Sequence, residues 1–245
     1  MLRGAVEMVG WSIEAEGGEV GRLSDVYFDD QRWAVRNLVM NTSHWPAGRS
    51  VLLSPRSVNG VDPARQVVRT SLSRSEVAGS PDVDRARPVS RQHELELSHY
   101  YGFPSYAVTV GASVGLAMPA TLPKGPAGGD GHLRSVRAIM GYFVHALDGE
   151  VGHVEDFLVD DDTWSIRYLL VSVRRRWTIH QVLVPVDWIA RVSWGARTIE
   201  VSLPAEAIRL APTHDRAVPV SPEHEARLGR YYGSPPFASA NGQAR

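Results

Sequence analysis

The sequence predicts a mainly-β chain: two small β-barrels in tandem, each followed by short C-terminal helices. Three observations carry this. One unit of about 106 residues occurs twice in the 245-residue chain. The first two-thirds of each copy breaks into short apolar runs separated by turn residues. Each copy then closes on a helix with recognisable start and stop signals.

The repeat emerges at a shift of 131. Gly18-Glu19-Val20-Gly21 falls on Gly149-Glu150-Val151-Gly152, Asp25 on Asp156, and Asp29-Asp30 on Asp160-Asp161. Trp33, Arg36 and Leu38 fall on Trp164, Arg167 and Leu169, giving 10 identities over the 21 positions 18–38. Farther on, Pro88-Val89-Ser90, His93-Glu94 and Tyr100-Tyr101-Gly102 match Pro219-Val220-Ser221, His224-Glu225 and Tyr231-Tyr232-Gly233. The expected organisation is a first barrel with its helix over 1–106 and a Gly/Pro/Ala-rich linker over 107–131. A second barrel with its helix over 132–238 and a disordered tail over 239–245 complete it.

Strands are expected near 7–14, 20–28, 33–41, 50–54 and 66–72, and again near 137–145, 151–159, 164–173, 180–184, 187–193 and 197–203. Asp29-Asp30-Gln31-Arg32 and Asp160-Asp161-Asp162-Thr163 read as hairpin turns, because Asp favours turns. An even-length loop would place Phe28 opposite Trp33 and Val159 opposite Trp164, as barrel core. It would also set Asp25 opposite Arg36 and Asp156 opposite Arg167, as structural pairs. The outer hairpin face is too apolar to be fully solvated, so something must cover it. Ser73–Ala78 and Pro204–Arg209 read as short helices. Ser90 and Ser221 are N-caps of the last helices, with Pro222 at the first helical position, where its missing N–H costs nothing.

With these residues assembled, the chain resembles the PRC-barrel family. The matching segments are GGEVGRLSDVYFDDQRWAVRNLVMNTSHWPAGRSVLLSP (17–55) and GEVGHVEDFLVDDDTWSIRYLLVSV (149–173), with WIARVSWGARTIEVSLPAEAIRLAP (188–212) and PVSPEHEARLGRYYGSPPFA (219–238). The family includes the cytoplasmic domain of the photosynthetic reaction-centre H subunit and the C-terminal domain of the ribosome maturation factor RimM. The resemblance implies a small barrel that serves as a docking module rather than an enzyme, here as a tandem bacterial member.

Composition narrows the function classes. Hydrophobic residues are 43% and charged residues 22%, a globular balance rather than a disordered one. The net charge is −1, and copy one carries 12 Arg against 13 acids while copy two carries 13 against 13. Neither copy is a basic arm for nucleic acid. The single lysine, Lys124, leaves an Arg bias spread evenly along the chain, which reads as genomic composition. There are no cysteines, which excludes disulfides, thiolate metal sites and a catalytic thiol. No apolar run is long enough for a signal peptide or a membrane span, so the expected compartment is the cytoplasm.

No residue pattern assigns catalysis, a cofactor or a metal. Asp160-Asp161-Asp162 lacks the alternating ligands, glycine and closing Glu of a calcium loop. The nine histidines show no zinc spacing. Neither a nucleophile elbow nor a phosphate loop occurs. The candidate interaction surface is Arg174, Arg175, Arg176 and Trp177, together with Tyr100, Tyr101, Tyr231 and Tyr232 at the helix ends. The expected function is a non-enzymatic scaffold whose paired barrels bind a protein partner or self-associate. One alternative is an RNA- or ribosome-associated factor using Arg174, Arg175 and Arg176, a cluster that would also suit anionic lipid at a membrane surface. A hydrolase or metal-dependent enzyme ranks below both.

Overall fold

A computed structural model describes residues 1–42, 49–80, 132–175 and 177–233. The expected helix capped by Ser90, the linker 107–131 and the tail 239–245 lie outside the described residues. The chain divides into two compact units. The N-unit is Ala5–Ala138; the C-unit joins Met1–Gly4 to Ile139–Arg245.

The chain opens with β1 (Leu2–Gly4), which belongs to the C-unit. The N-unit contains β2 (Ser12–Glu16), β3 (Gly18–Asp29), β4 (Ala34–Asn41), β5 (Ser50–Leu53), β6 (Val58–Asp62), β7 (Val67–Ser73) and β8 (Leu133–Ser135). They form one sheet in the order β5-β4-β3-β2-β7-β6, with β8 beside β3. Helix α1 (Arg74–Gly79) follows β7, and α2 (Val136–Ile139) follows β8.

The C-unit repeats the plan with β9 (Phe143–Ala146), β10 (Gly149–Asp160), β11 (Ile166–Arg175), β12 (Thr178–Pro185), β13 (Ile189–Ser193) and β14 (Thr198–Val201). Its order is β12-β11-β10-β9-β14-β13, with β1 beside β10. The protein is therefore mainly β, with two seven-stranded sheets. Among the described residues no ladder joins the edge strands β5 and β6, or β12 and β13. Helices α3 (Ala205–Arg209) and α4 (Pro222–Tyr232) end the C-unit.

Both long hairpins bury apolar side chains inward. Phe28, Leu23, Val26 and Leu38 are buried in the N-unit, as are Phe157, Val159, Leu169 and Trp164 in the C-unit. Trp33 is half-buried and stacks on Phe28, with ring centroids 5.6 Å apart.

The hairpin register differs from the even-loop expectation. Phe28 pairs with Val35 and Asp25 with Val39; Val159 pairs with Ile166 and Asp156 with Leu170. The turn itself supplies the reason. Asp29 Oδ1 accepts the N–H groups of Gln31 and Arg32 at 2.9 and 3.0 Å, and Trp33 N–H donates to the Asp29 carbonyl at 2.9 Å. Asp160 and Trp164 repeat the arrangement. The tryptophans take left-handed backbone angles, φ 52° and 56°, so each loop is longer than a tight hairpin turn.

The expected ion pairs change with the register. Arg36 Nη1 lies 3.7 Å from Asp29 Oδ2, while Asp25 accepts the Ser135 hydroxyl at 2.6 Å. Arg167 reaches Asp160 at 3.5 Å and Glu225 at 3.1 Å, while Asp156 pairs with Arg216 at 2.7 Å. Two strand boundaries also move. Residues 5–10 form turns before β2, and α2 occupies the start of the expected strand 137–145. Sequence reading assigns no strand to β1, β6 or β8.

Candidate interaction surface of the C-unit

The hairpin of β11 and β12 projects its tip into solvent. Its register pairs Val173 with His180, Arg174 with Ile179 and Arg175 with Thr178. Cross-strand partners share a face, so Arg174 and Ile179 lie side by side on one surface of the ribbon. Arg174 and Arg175 are exposed, Ile179 is 72% exposed and Trp177 is 94% exposed. Thr178 Oγ1 donates to the Arg175 carbonyl at 3.1 Å, which fastens the turn beneath Trp177. A large aromatic so fully in water has no packing role in this unit. Arg176 lies outside the described residues.

The end of α4 carries Tyr231, which feels the charge of Arg175 in that hairpin. Ser221 caps the helix by accepting the His224 N–H at 3.2 Å, and Gly233 closes it in the left-handed region at φ 72°. Tyr231 is 41% exposed and donates its hydroxyl to the Ala207 carbonyl at 2.9 Å. Burial pushes its phenol pKa up, and the positive charge of Arg175 opposes that rise. Tyr231 thus sits within electrostatic reach of the hairpin.

Tyr232 departs from the expected surface. It is buried, and its hydroxyl has no hydrogen-bond partner among the described residues. The reason is helical geometry: consecutive residues point about 100° apart, so only one of two adjacent tyrosines faces solvent. Tyr100 and Tyr101 lie outside the described residues. The structure thus sets Arg174, Arg175 and Trp177 on one hairpin, with Tyr231 within electrostatic reach of Arg175. It adds Ile179, which the sequence reading missed by starting that strand at residue 180. The signal was an apolar residue two positions after a tryptophan at a basic turn.

The outer face of the β10–β11 hairpin is covered by the C-unit's own tail. Thr213 bridges to Val182, and His214 N–H donates to the Gln181 carbonyl at 2.8 Å. Arg216 reaches Asp156, and Glu225 on α4 meets both Arg167 and the Tyr168 hydroxyl. Burial, reinforced by the Glu225 charge, raises the Tyr168 phenol pKa to about 12.

Asp160, Asp161 and Asp162 bring carboxylate oxygens within 4.8 Å of one another. Their charges already have partners. Burial pushes Asp160 up, but the N–H groups of Thr163 and Asp162, with the N-terminal and Arg167 charges, hold its carboxyl below the usual range. Asp161 binds the Met1 amine and, at 2.6 Å, Arg3 Nε. The three carboxylates lie at the hairpin turn that the sequence places there.

Residues 145–208 match the family model of the PRC-barrel domain. That span runs from β9 through α3, so the chain carries a PRC-barrel domain within its C-unit. No curated protein matches the chain. Among the described residues no helix is long and apolar enough to cross a membrane.

Proposed function

We propose that the chain is a non-enzymatic docking protein that binds a protein partner through the β11–β12 hairpin of its PRC-barrel unit. The carrying observation is Trp177, 94% exposed at the tip, with Arg175 and Thr178 behind it and Ile179 on the same ribbon. Tryptophan and arginine dominate the energetics of protein interfaces, because one buries a large rigid surface and the other pairs with acidic groups. The fitting partner offers an apolar pocket rimmed by carboxylates. A nucleic-acid reading has less support. Two or three cations displace few counterions, and the whole chain has a net charge of −1.

The test is capture from native extract on the immobilised full chain, followed by titration of the purified partner against wild type, Trp177→Ala and Ile179→Ser. The expected result is binding weakened at least about 10-fold by Trp177→Ala, as befits a hot-spot residue. Retained material that is nuclease-sensitive RNA, or equal affinity for all three proteins, would overturn the reading. Retention on anionic vesicles without any protein partner would do the same.

A further inference from the structure

The short strands β1 and β8 occupy equivalent places in the repeat, since a shift of 131 carries Leu2-Arg3 onto Leu133-Arg134. Their pairings are equivalent too. In the C-unit, Leu2, Arg3 and Gly4 pair with Asp160, Val159 and Leu158 of β10. In the N-unit, Leu133, Arg134 and Ser135 pair with Asp29, Phe28 and Tyr27 of β3. The two registers are related by the same shift of 131. Yet each strand belongs by sequence to the other repeat: β1 continues into Ala5 of the N-unit, and β8 leads through α2 into the C-unit.

The side-chain contacts repeat with the ladders. Arg3 Nε meets Asp161 at 2.6 Å, and Arg134 Nε meets the equivalent Asp30 at 3.0 Å. Asp161 N–H donates to the Met1 carbonyl, and Asp30 N–H to the His132 carbonyl, both at 3.0 Å. Leu2 is buried, and Leu133 packs against the cluster of Val39 and Leu52. The Arg3 and Asp161 side chains are 14% and 11% exposed, so water screens this pair less than a surface pair. Without the donated strand, the Leu158–Asp160 and Tyr27–Asp29 stretches would each expose ladder groups along one edge.

We infer that the two repeats bind each other by reciprocal strand donation, each repeat being the other's partner, so that their association does not depend on the linker. The arrangement is that of a strand-swapped pair drawn into one chain. Separating the two repeats requires both strands to leave their ladders. The tether's effect is to raise the effective concentration of each strand at its acceptor edge.

The experiment places a protease recognition site inside 118–128 of the full chain and cuts the folded protein. Size-exclusion chromatography with light scattering then reads the mass. The cut halves should co-elute at the mass of the uncut chain. Reversing both donors (Arg3→Asp with Arg134→Asp) should weaken that association at least tenfold. Restoring the pairs with Asp161→Arg and Asp30→Arg should recover it. The milder Arg3→Gln with Arg134→Gln gives a smaller loss should the reversal impair folding. Circular dichroism on each uncut variant checks the sheet content. Halves that separate while keeping their β spectrum would overturn the inference. Co-elution that the reversed and neutralised pairs leave unchanged would also overturn it, because something other than the exchanged strands would then hold the halves.

Discussion

Gly152 passes so close to Ser172 that a Cβ built on the glycine would lie 1.8 Å from the serine carbonyl oxygen. The equivalent Gly21 would place one 2.3 Å from the Asn41 oxygen. In both cases the obstacle is backbone, which cannot rotate aside. This is why the second glycine of the repeated Gly-Glu-Val-Gly has no side chain. Gly152→Ala should destabilise the C-unit by about 1–3 kcal/mol, the range for forcing a methyl into packed structure. Chemical denaturation of the full chain would read it. Gly195→Ala, with open space around its Cβ position, should change stability far less.

Asp156 is fully buried and Arg216 is its guanidinium partner at 2.7 Å. The carboxylate also accepts the Phe157 N–H at 2.7 Å. Removing one member of a buried pair costs more than the pair contributes, because the remaining charge keeps its desolvation penalty. Arg216→Ala should therefore cost about 3 kcal/mol or somewhat less, since Arg216 itself is partly exposed. Asp156→Asn with Arg216→Ala should lose less than the sum of the single changes. A double-mutant cycle in urea gives the coupling.

How much of this was legible in the sequence depends on how local each cause is. Helix α4 could be read from Ser221, Pro222 and Gly233 because caps act within a turn. The hairpins could be read from their alternating apolar runs. Their register could not, because it depends on Trp33 and Trp164 adopting φ angles usually left to glycine or asparagine. Strands β1 and β8 are three residues each, too short for a period, and their partners lie over 100 residues away. At the candidate surface, Arg174, Arg175 and Trp177 stood out because they break the repeat. Tyr232 was misplaced because a Tyr-Tyr pair shows no facing until the helix has a core to turn toward.

His214 and His224 set a pH limit on how firmly the C-unit's tail is held. Their rings meet edge to face at 5.7 Å, and burial lowers both pKa values below the usual 6.5. His214 lowers further because of His224, with Asp215 opposing; Arg227 lowers His224. The unfolded chain therefore takes up protons first as pH falls. Stability is fully present above about pH 7 and declines as pH drops through the unfolded value toward the lower folded ones. The melting temperature should fall in the acid window that opens below the ordinary histidine value of 6.5. His214→Gln with His224→Gln should flatten the profile in that window. An unchanged slope in the double variant would place the loss elsewhere.

Tyr231 and Tyr232 stand side by side and should respond oppositely to loss of their hydroxyls. The Tyr231 hydroxyl donates to Ala207, whereas that of Tyr232 is buried with no partner among the described residues. Burial holds the Tyr232 phenol far above its ordinary pKa, so it stays neutral at any working pH. A buried hydroxyl that makes no hydrogen bond costs its desolvation and returns nothing. Tyr232→Phe should therefore be neutral or stabilising by up to about 1 kcal/mol, while Tyr231→Phe should lose about 0.5–1 kcal/mol. Paired thermal melts of the two variants read the sign directly. A clear loss of stability in Tyr232→Phe would mean that its hydroxyl bonds a group in the solvated protein. Because Tyr232 faces inward, this substitution should also leave partner affinity at the Trp177 hairpin unchanged, which separates the buried member of the pair from the exposed one.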